Sequence, residues 1–265
     1  MHAAVQPQPP SARVFLLRLA ASGRTPSQGL RQRFGDAPPG LGVVSANNPP
    51  PVERHEIDMV RHGQEALSLL VSEELAKAGR LRDDGARHAY LLAHAALRLL
   101  LARALGRDAQ GLRFAAGPLG KPRLADDAAA VHFSLARRPG LVALAIGNAP
   151  LGVDVEPLRE GVDMAGISQR FFTPGEHAFV LGASAPQAAL ERFFGLWSRK
   201  EALVKAAGVG IDALGRAEAL KSLVTLANEE GSPRTWCLHQ LPSPPDCALA
   251  MAIEVPGPPA PTDPT

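Results

Sequence analysis

The chain has 265 residues, a formal net charge of +2 and 20% charged residues. That length supports one large core or two small ones, and the near-neutral balance gives no case for a nucleic-acid or membrane-surface partner. Two cysteines, Cys237 and Cys247, exclude a disulfide scaffold and a four-cysteine zinc site and fit a reduced, cytoplasmic setting. No apolar run reaches the roughly 18 residues needed to span a bilayer.

Glycine and proline number 25 each, well above common usage. The prolines concentrate at the ends, nine in 1–51 and nine in 233–265. Residues 1–51 carry no acid before Asp36 but hold Arg13, Arg18, Arg24, Arg31 and Arg33. This start reads as a disordered extension, removable to about residue 50, with a transit peptide or an early start codon as alternatives. RVFLLRLA (13–20) is at most a stray strand, and 35–51 reads as linker.

From Glu56 the pattern becomes regular. EIDMVRH (56–62) reads as a strand and Leu67–Gly79 as a helix. Ala86–Leu105 is the longest helix, ended by Gly106. Short strands follow at 112–117, 130–135 and 141–147. The Gly147–Pro150 turn leads into LGVDVE (151–156), so 141–156 reads as a β-hairpin. Met164–Gln169 is a short helix. Thr173, Pro174 and Glu176 form a capping box opening the next. Gln187–Ala207 is a third long helix, closed by Gly208 and Gly210, with strands near 221–226, 234–240 and 247–254. The order gives an α+β fold in two halves, 52–150 and 151–255, with a Pro-rich tail over 256–265.

Three groups of residues carry chemistry. In LGVDVE, strand alternation turns Leu151, Val153 and Val155 to one side and Asp154 and Glu156 to the other. Two carboxylates on one face suit Mg²⁺ or Mn²⁺, or form a solvated edge. In the helix over 191–208, Phe193, Phe194, Trp197 and Val204 form an apolar stripe with Glu201 in its middle and Lys200 and Lys205 at its edges. A carboxylate there needs a partner, either a metal or an i,i+4 bridge to Lys205. Lys121 in a Gly-Lys-Pro turn, Arg137 and Arg138 between strands, and Arg87 and His88 on the long helix supply positive charge for a phosphorylated ligand. There is no P-loop, dinucleotide fingerprint, hydrolase triad or histidine metal spacing.

Taken together, GVDVE (152–156), WSRKEALVKAAGVG (197–210), GKP (120–122), FSLARRPG (133–140) and FFTPGE (171–176) resemble the 4′-phosphopantetheinyl transferases of the monomeric, two-half type. The resemblance covers roughly 56–254. It implies a fold of two similar α+β halves related by a pseudo-twofold. It implies transfer of the 4′-phosphopantetheine arm of coenzyme A to a serine of an acyl or peptidyl carrier protein, with release of 3′,5′-adenosine bisphosphate. Asp154, Glu156 and Glu201 would hold Mg²⁺. Lys205 would touch the phosphate or serve the leaving group, and Glu201, Lys205 or a metal-bound water would act as base. Lys121, Arg137, Arg87 and Lys200 would bind coenzyme A. The family's Phe-Asn-x-Ser-His appears here as Phe133-Ser134-Leu135-Ala136-Arg137. Arginine keeps a donor and adds permanent charge, while loss of the serine hydroxyl removes a hydrogen bond worth about 1 kcal/mol. A non-catalytic coenzyme A or nucleotide-binding relative is the alternative this departure opens, and a purely structural α+β protein is a third reading.

Overall fold

The computed structural model describes residues 8–20, 29–34, 40–125 and 131–257. The rest of the expected N-terminal extension and most of the Pro-rich tail lie outside the described residues. The element order is β1 (Ser11–Ala20), α1 (Leu30–Phe34), β2 (Gly42–Val43), β3 (Val52–Asp58), α2 (Met59–Leu69), α3 (Ser72–Gly79), α4 (Asp84–Leu105), β4 (Phe114–Ala116), β5 (Pro122–Leu124), β6 (His132–Arg138), β7 (Leu141–Gly147), β8 (Leu151–Pro157), α5 (Met164–Phe171), α6 (Pro174–Leu181) and α7 (Pro186–Ala207). A 3-10 turn (Ile211–Arg216) then leads to β9 (Leu223–Ala227), β10 (Pro233–Leu241) and β11 (Cys247–Val255).

Two sheets stand face to face. The first has the order β2-β1-β7-β6, with β3 parallel to β1, and the second runs β8-β11-β10-β9. Strand alternation builds three cores. Phe15, Leu17, Val142, Leu144 and Ile146 point outward onto α1, α2 and α4. Val14, Leu16, Ala143 and Ala145 point inward and meet Val153, Val155, Leu249, Met251 and Ile253. The far face of the second sheet, with Ala248, Ala250, Ala252 and Trp236, is covered by α7. The result is a helix–sheet–sheet–helix stack.

Four expectations change. Residues 11–20, assigned to a disordered extension, form a strand pairing with β2, β3 and β7, with Val14, Phe15, Leu16 and Leu17 at most 2% exposed. A strand buried on both faces reads as an apolar run rather than an alternation, and its Pro-rich flanks obscured it. Secondly, 141–156 is not a hairpin. β7 is bonded along both edges, to β1 and β6, so after the turn β8 pairs with β11 of the other sheet. Thirdly, 56–62 is the end of β3 followed by the start of α2, and the helix expected over 67–79 breaks between α2 and α3. Finally, β6 runs on to Arg138, so Arg137 and Arg138 lie within a strand rather than between strands. The caps match their sequence signals: Thr173 Oγ1 accepts from the Glu176 amide and Glu176 Oε2 from the Thr173 amide. Gly106 and Gly208 close the long helices in the left-handed region, at φ 63° and 72°.

Candidate active site

The site begins at Gly152. A Cβ there would stand 2.1 Å from the Ala202 carbonyl oxygen and 2.4 Å from the Ala206 nitrogen. Only glycine lets α7 lie this close on β8. Asp154 and Glu156 follow on the same face of the strand and are thereby brought against α7. They are 0% and 2% exposed, not a solvated edge.

Each carboxylate is paired, Asp154 chiefly with Lys205 and Glu156 chiefly with Arg138, with Arg159 also 3.7 Å from Glu156 Oε2. Lys205 Nζ donates to Asp154 Oδ1 at 2.6 Å. The i,i+4 bridge from Lys205 to Glu201 is therefore replaced by one that joins α7 to β8. Burial pushes the Asp154 carboxyl up to about 6 against the pull of Lys205. Arg138, from β6 of the other sheet, donates through Nε to Glu156 Oε2 at 2.9 Å and through Nη2 to Oε1. Trp197 Nε1 also donates to Oε1, at 3.2 Å. The hydrogen bond to Glu156 raises the Arg138 guanidinium pKa above its ordinary value. The free edges of β6 and β8 are joined by the Val153 amide, which donates to Ser134 Oγ at 3.1 Å.

Glu201 and Lys205 line a cleft of about 310 Å³, walled opposite by Lys121, Pro122, Ser134 and Leu135. Gly120, Pro122 and Leu135 also wall a groove of about 800 Å³ that runs over the first half past Tyr90 and His94. Burial lowers His94 to about 4, so it is neutral at physiological pH.

Of the expected site residues, Lys121, Glu201 and Lys205 line this cleft, while Asp154 and Glu156 are buried behind it and paired with Lys205 and Arg138. Lys121 Nζ donates to the carbonyls of Ala206 at 2.9 Å and Leu151 at 3.2 Å, which leaves one donor over. Burial lowers its pKa to about 8. Arg137 points the other way from Arg138 and stacks 4.7 Å over the Tyr90 ring at the larger groove. Arg87 is held at the start of α4 by Asp84 and the Leu81 carbonyl. Lys200, expected to bind coenzyme A, is corrected. It is wholly buried, and its three protons go to Glu176 Oε2 at 2.7 Å and to the carbonyls of Leu214 at 2.6 Å and Ala217 at 2.8 Å. It ties α7 to α6 and the 3-10 turn.

Arg138, grouped in the sequence with the cations for a phosphorylated ligand, is instead the partner of Glu156, a pairing that sequence reasoning missed. The signal was available in alternation: carried through to 138, β6 puts Arg138 on the face of Ser134 and Ala136.

A metal fits one part of this arrangement. Asp154 Oδ2 is buried without a hydrogen-bond partner, and an anionic oxygen of that kind suits a hard divalent cation. Among the described residues, no three His, Cys, Asp or Glu side chains already stand together as a metal cage.

Comparison with known proteins agrees with this geometry. A family model described as the 4′-phosphopantetheinyl transferase superfamily matches residues 150–249, from β8 to the start of β11. A 4′-phosphopantetheinyl transferase of Nostoc, HetI, is 30% identical over 72% of this chain and 81% of its own length. The Sfp transferase of Bacillus subtilis is 28% identical over 55% of this chain and 63% of its own. A fatty acid synthase alpha subunit of Schizosaccharomyces pombe is 36% identical over 34% of this chain but 5% of its own length. With the acidic strand, the tryptophan-bearing helix and their meeting across Gly152 in place, this chain belongs to the 4′-phosphopantetheinyl transferase superfamily.

Proposed function

We propose that this transferase moves the 4′-phosphopantetheine arm of coenzyme A onto a serine of an acyl or peptidyl carrier protein, with Mg²⁺ or Mn²⁺ as cofactor. The observation that carries the reading is Lys205, anchored on the buried Asp154, beside Glu201 in a cleft walled by the Gly-Lys-Pro turn. The serine oxygen bonds to the phosphorus that bears the pantetheine arm. The bond from that phosphorus to the bridging oxygen breaks, and 3′,5′-adenosine bisphosphate leaves. Little covalent chemistry is asked of the protein, whose work is positioning and charge stabilisation.

Asp154 and Glu201, with Glu156 beside them, would hold the divalent cation, which when bound offsets charge on the pyrophosphate oxygens. Glu201, half-exposed at the cleft, accepts the serine proton at its carboxylate. Lys205 Nζ, with two protons beyond the one given to Asp154, faces the leaving phosphate and supplies its proton. The nucleotide end would lie in the 800 Å³ groove, where Arg137 stacks over Tyr90 and which shares Gly120, Pro122 and Leu135 with the cleft that holds Lys121 and Lys205. Arg87 serves this end only if its side chain leaves Asp84.

We read the molecule as two similar halves about a pseudo-twofold, 52–150 with β1 added and 151–255, because each has a sheet covered by a helix of 22 residues. We read the protein as a monomer in the cytoplasm, a reducing compartment that suits its two free, buried cysteines. No helix among the described residues is long and apolar enough to cross a membrane.

Incubation with an apo carrier protein, coenzyme A and Mg²⁺ tests the reading. Mass spectrometry should show one phosphopantetheine added to the carrier serine. Coenzyme A binding without mass gain on fatty acid, polyketide and peptide carriers would instead favour the non-catalytic relative.

A further inference from the structure

Arg138, like Lys121, reaches the site from the other half of the molecule. Its guanidinium is fixed at three nitrogens. Nε and Nη2 fork onto the two oxygens of Glu156, and Nη1 donates to the Arg137 carbonyl at 2.9 Å. Nη2 also stands 4.0 Å from Asp154 Oδ1. With the Trp197 donor added, both oxygens of Glu156 are occupied, whereas Asp154 retains a buried free oxygen. The Glu156 side chain is 3% exposed and that of Arg138 is 31% exposed, so the arginine is the outer partner of the pair. A planar fork matched to a carboxylate is the arrangement in which arginine holds best and lysine cannot substitute.

We propose that Arg138 is a built-in counterion to the acidic strand, so that a divalent cation competes with it for Glu156 and this competition sets the metal affinity of the protein. Arg138 fills by charge and by hydrogen bonds the space that a metal would fill by coordination. Its positive charge beside Asp154 also opposes a second cation there. The inference rests on reading the acidic strand as the place where metal is held, and its test separates the two.

The full chain is titrated with Mn²⁺ alone, without coenzyme A or carrier, and free Mn²⁺ is read by electron paramagnetic resonance. Arg138→Ser should tighten Mn²⁺ binding by about tenfold or more, since it removes a unit charge some 4 Å from Asp154 and frees Glu156 Oε2, leaving Oε1 with Trp197 alone. Arg138→Lys keeps the charge but loses the fork, so its gain should be smaller yet measurable. In the double variant R138S/E156Q the gain should disappear. No tightening in R138S or R138K, or a gain that survives E156Q, overturns the proposal. If R138S fails to fold, as a melting curve will show, R138K carries the test by itself. Asp154→Asn is the control for the underlying reading. If D154N leaves Mn²⁺ binding undiminished, the acidic strand is not the metal site. If D154N abolishes binding while R138S and R138K gain nothing, only the counterion is wrong.

Discussion

The two long helices invite comparison. α4 and α7 each have 22 residues, each ends on a glycine in the left-handed region, and each lies on the outer face of a sheet. Beneath α4 the sheet offers Phe15, Leu17, Val142, Leu144 and Ile146. Beneath α7, on β8 and β11, it offers Gly152, Ala248, Ala250 and Ala252, with the bulk of Trp236 set aside on β10. Large side chains under α4 bury apolar area, the main source of stability. Small ones under α7 give up that area for close approach, and the closeness carries Lys205 to Asp154 and holds Glu201 at the cleft. The first half thus supports the fold by bulk, and the second positions charges by the absence of bulk.

The comparison can be broken in several places. The largest effect is expected from deleting residues 1–20. That removes the strand between β3 and β7 and exposes both faces of the first sheet, so no cooperative unfolding transition should remain in circular dichroism. A well-folded truncated chain would mean that the first half does not depend on its central strand. Next is Gly152→Val. The backbone oxygen 2.1 Å from the new Cβ cannot move aside like a side chain, and a loss on the order of 3 kcal/mol is expected in urea, with transfer lost at the same time. Leu144→Ala should cost about 2–5 kcal/mol, yet the molecules that remain folded should turn over as before. If kcat falls with stability in that variant, bulk and positioning are not divided between the helices. Asp154→Ala should cut transfer by on the order of 100-fold in the carrier assay while leaving the fold intact, because Lys205 is 28% exposed and can turn to water.

The smallest effect is a pH dependence at Lys121, whose pKa burial lowers from 10.5 to about 8. Between those values the folded chain binds fewer protons here than the unfolded chain, so this residue's contribution to stability improves as pH rises. Phosphate affinity moves the other way. Coenzyme A binding measured by calorimetry should weaken as pH rises through about 8, and Lys121→Met should remove that limb. A limb that persists in K121M would assign it to another group.

What was legible in the sequence was local. Gly106, Gly208 and the Thr173–Glu176 box marked helix ends because a cap is made by residues a few positions apart. Asp154 and Glu156 could be placed on one face because alternation is a property of the strand alone. What stayed hidden was every contact across the molecule. The partner of Glu176 is Lys200, 24 positions on, where helical periodicity places it only at the edge of a stripe. The partner of Glu156 is an arginine from the other sheet, and the turn before β8 marked a reversal of the chain without saying which sheet the next strand joins.

The sequence by itself therefore determined α3 to α7, most of the longer strands and the two motifs that mark the family, since these follow from spacing and capping, but not α1 or the bounds of α2. The tertiary structure decided which charges are spent on the protein and which face the cleft. Lys200 and Arg138 are both cations next to a motif. One has all its protons used inside the core, and the other forks onto Glu156 at the rim. Burial and the identity of a partner depend on the packing of elements distant in sequence, so only the folded arrangement separates the two.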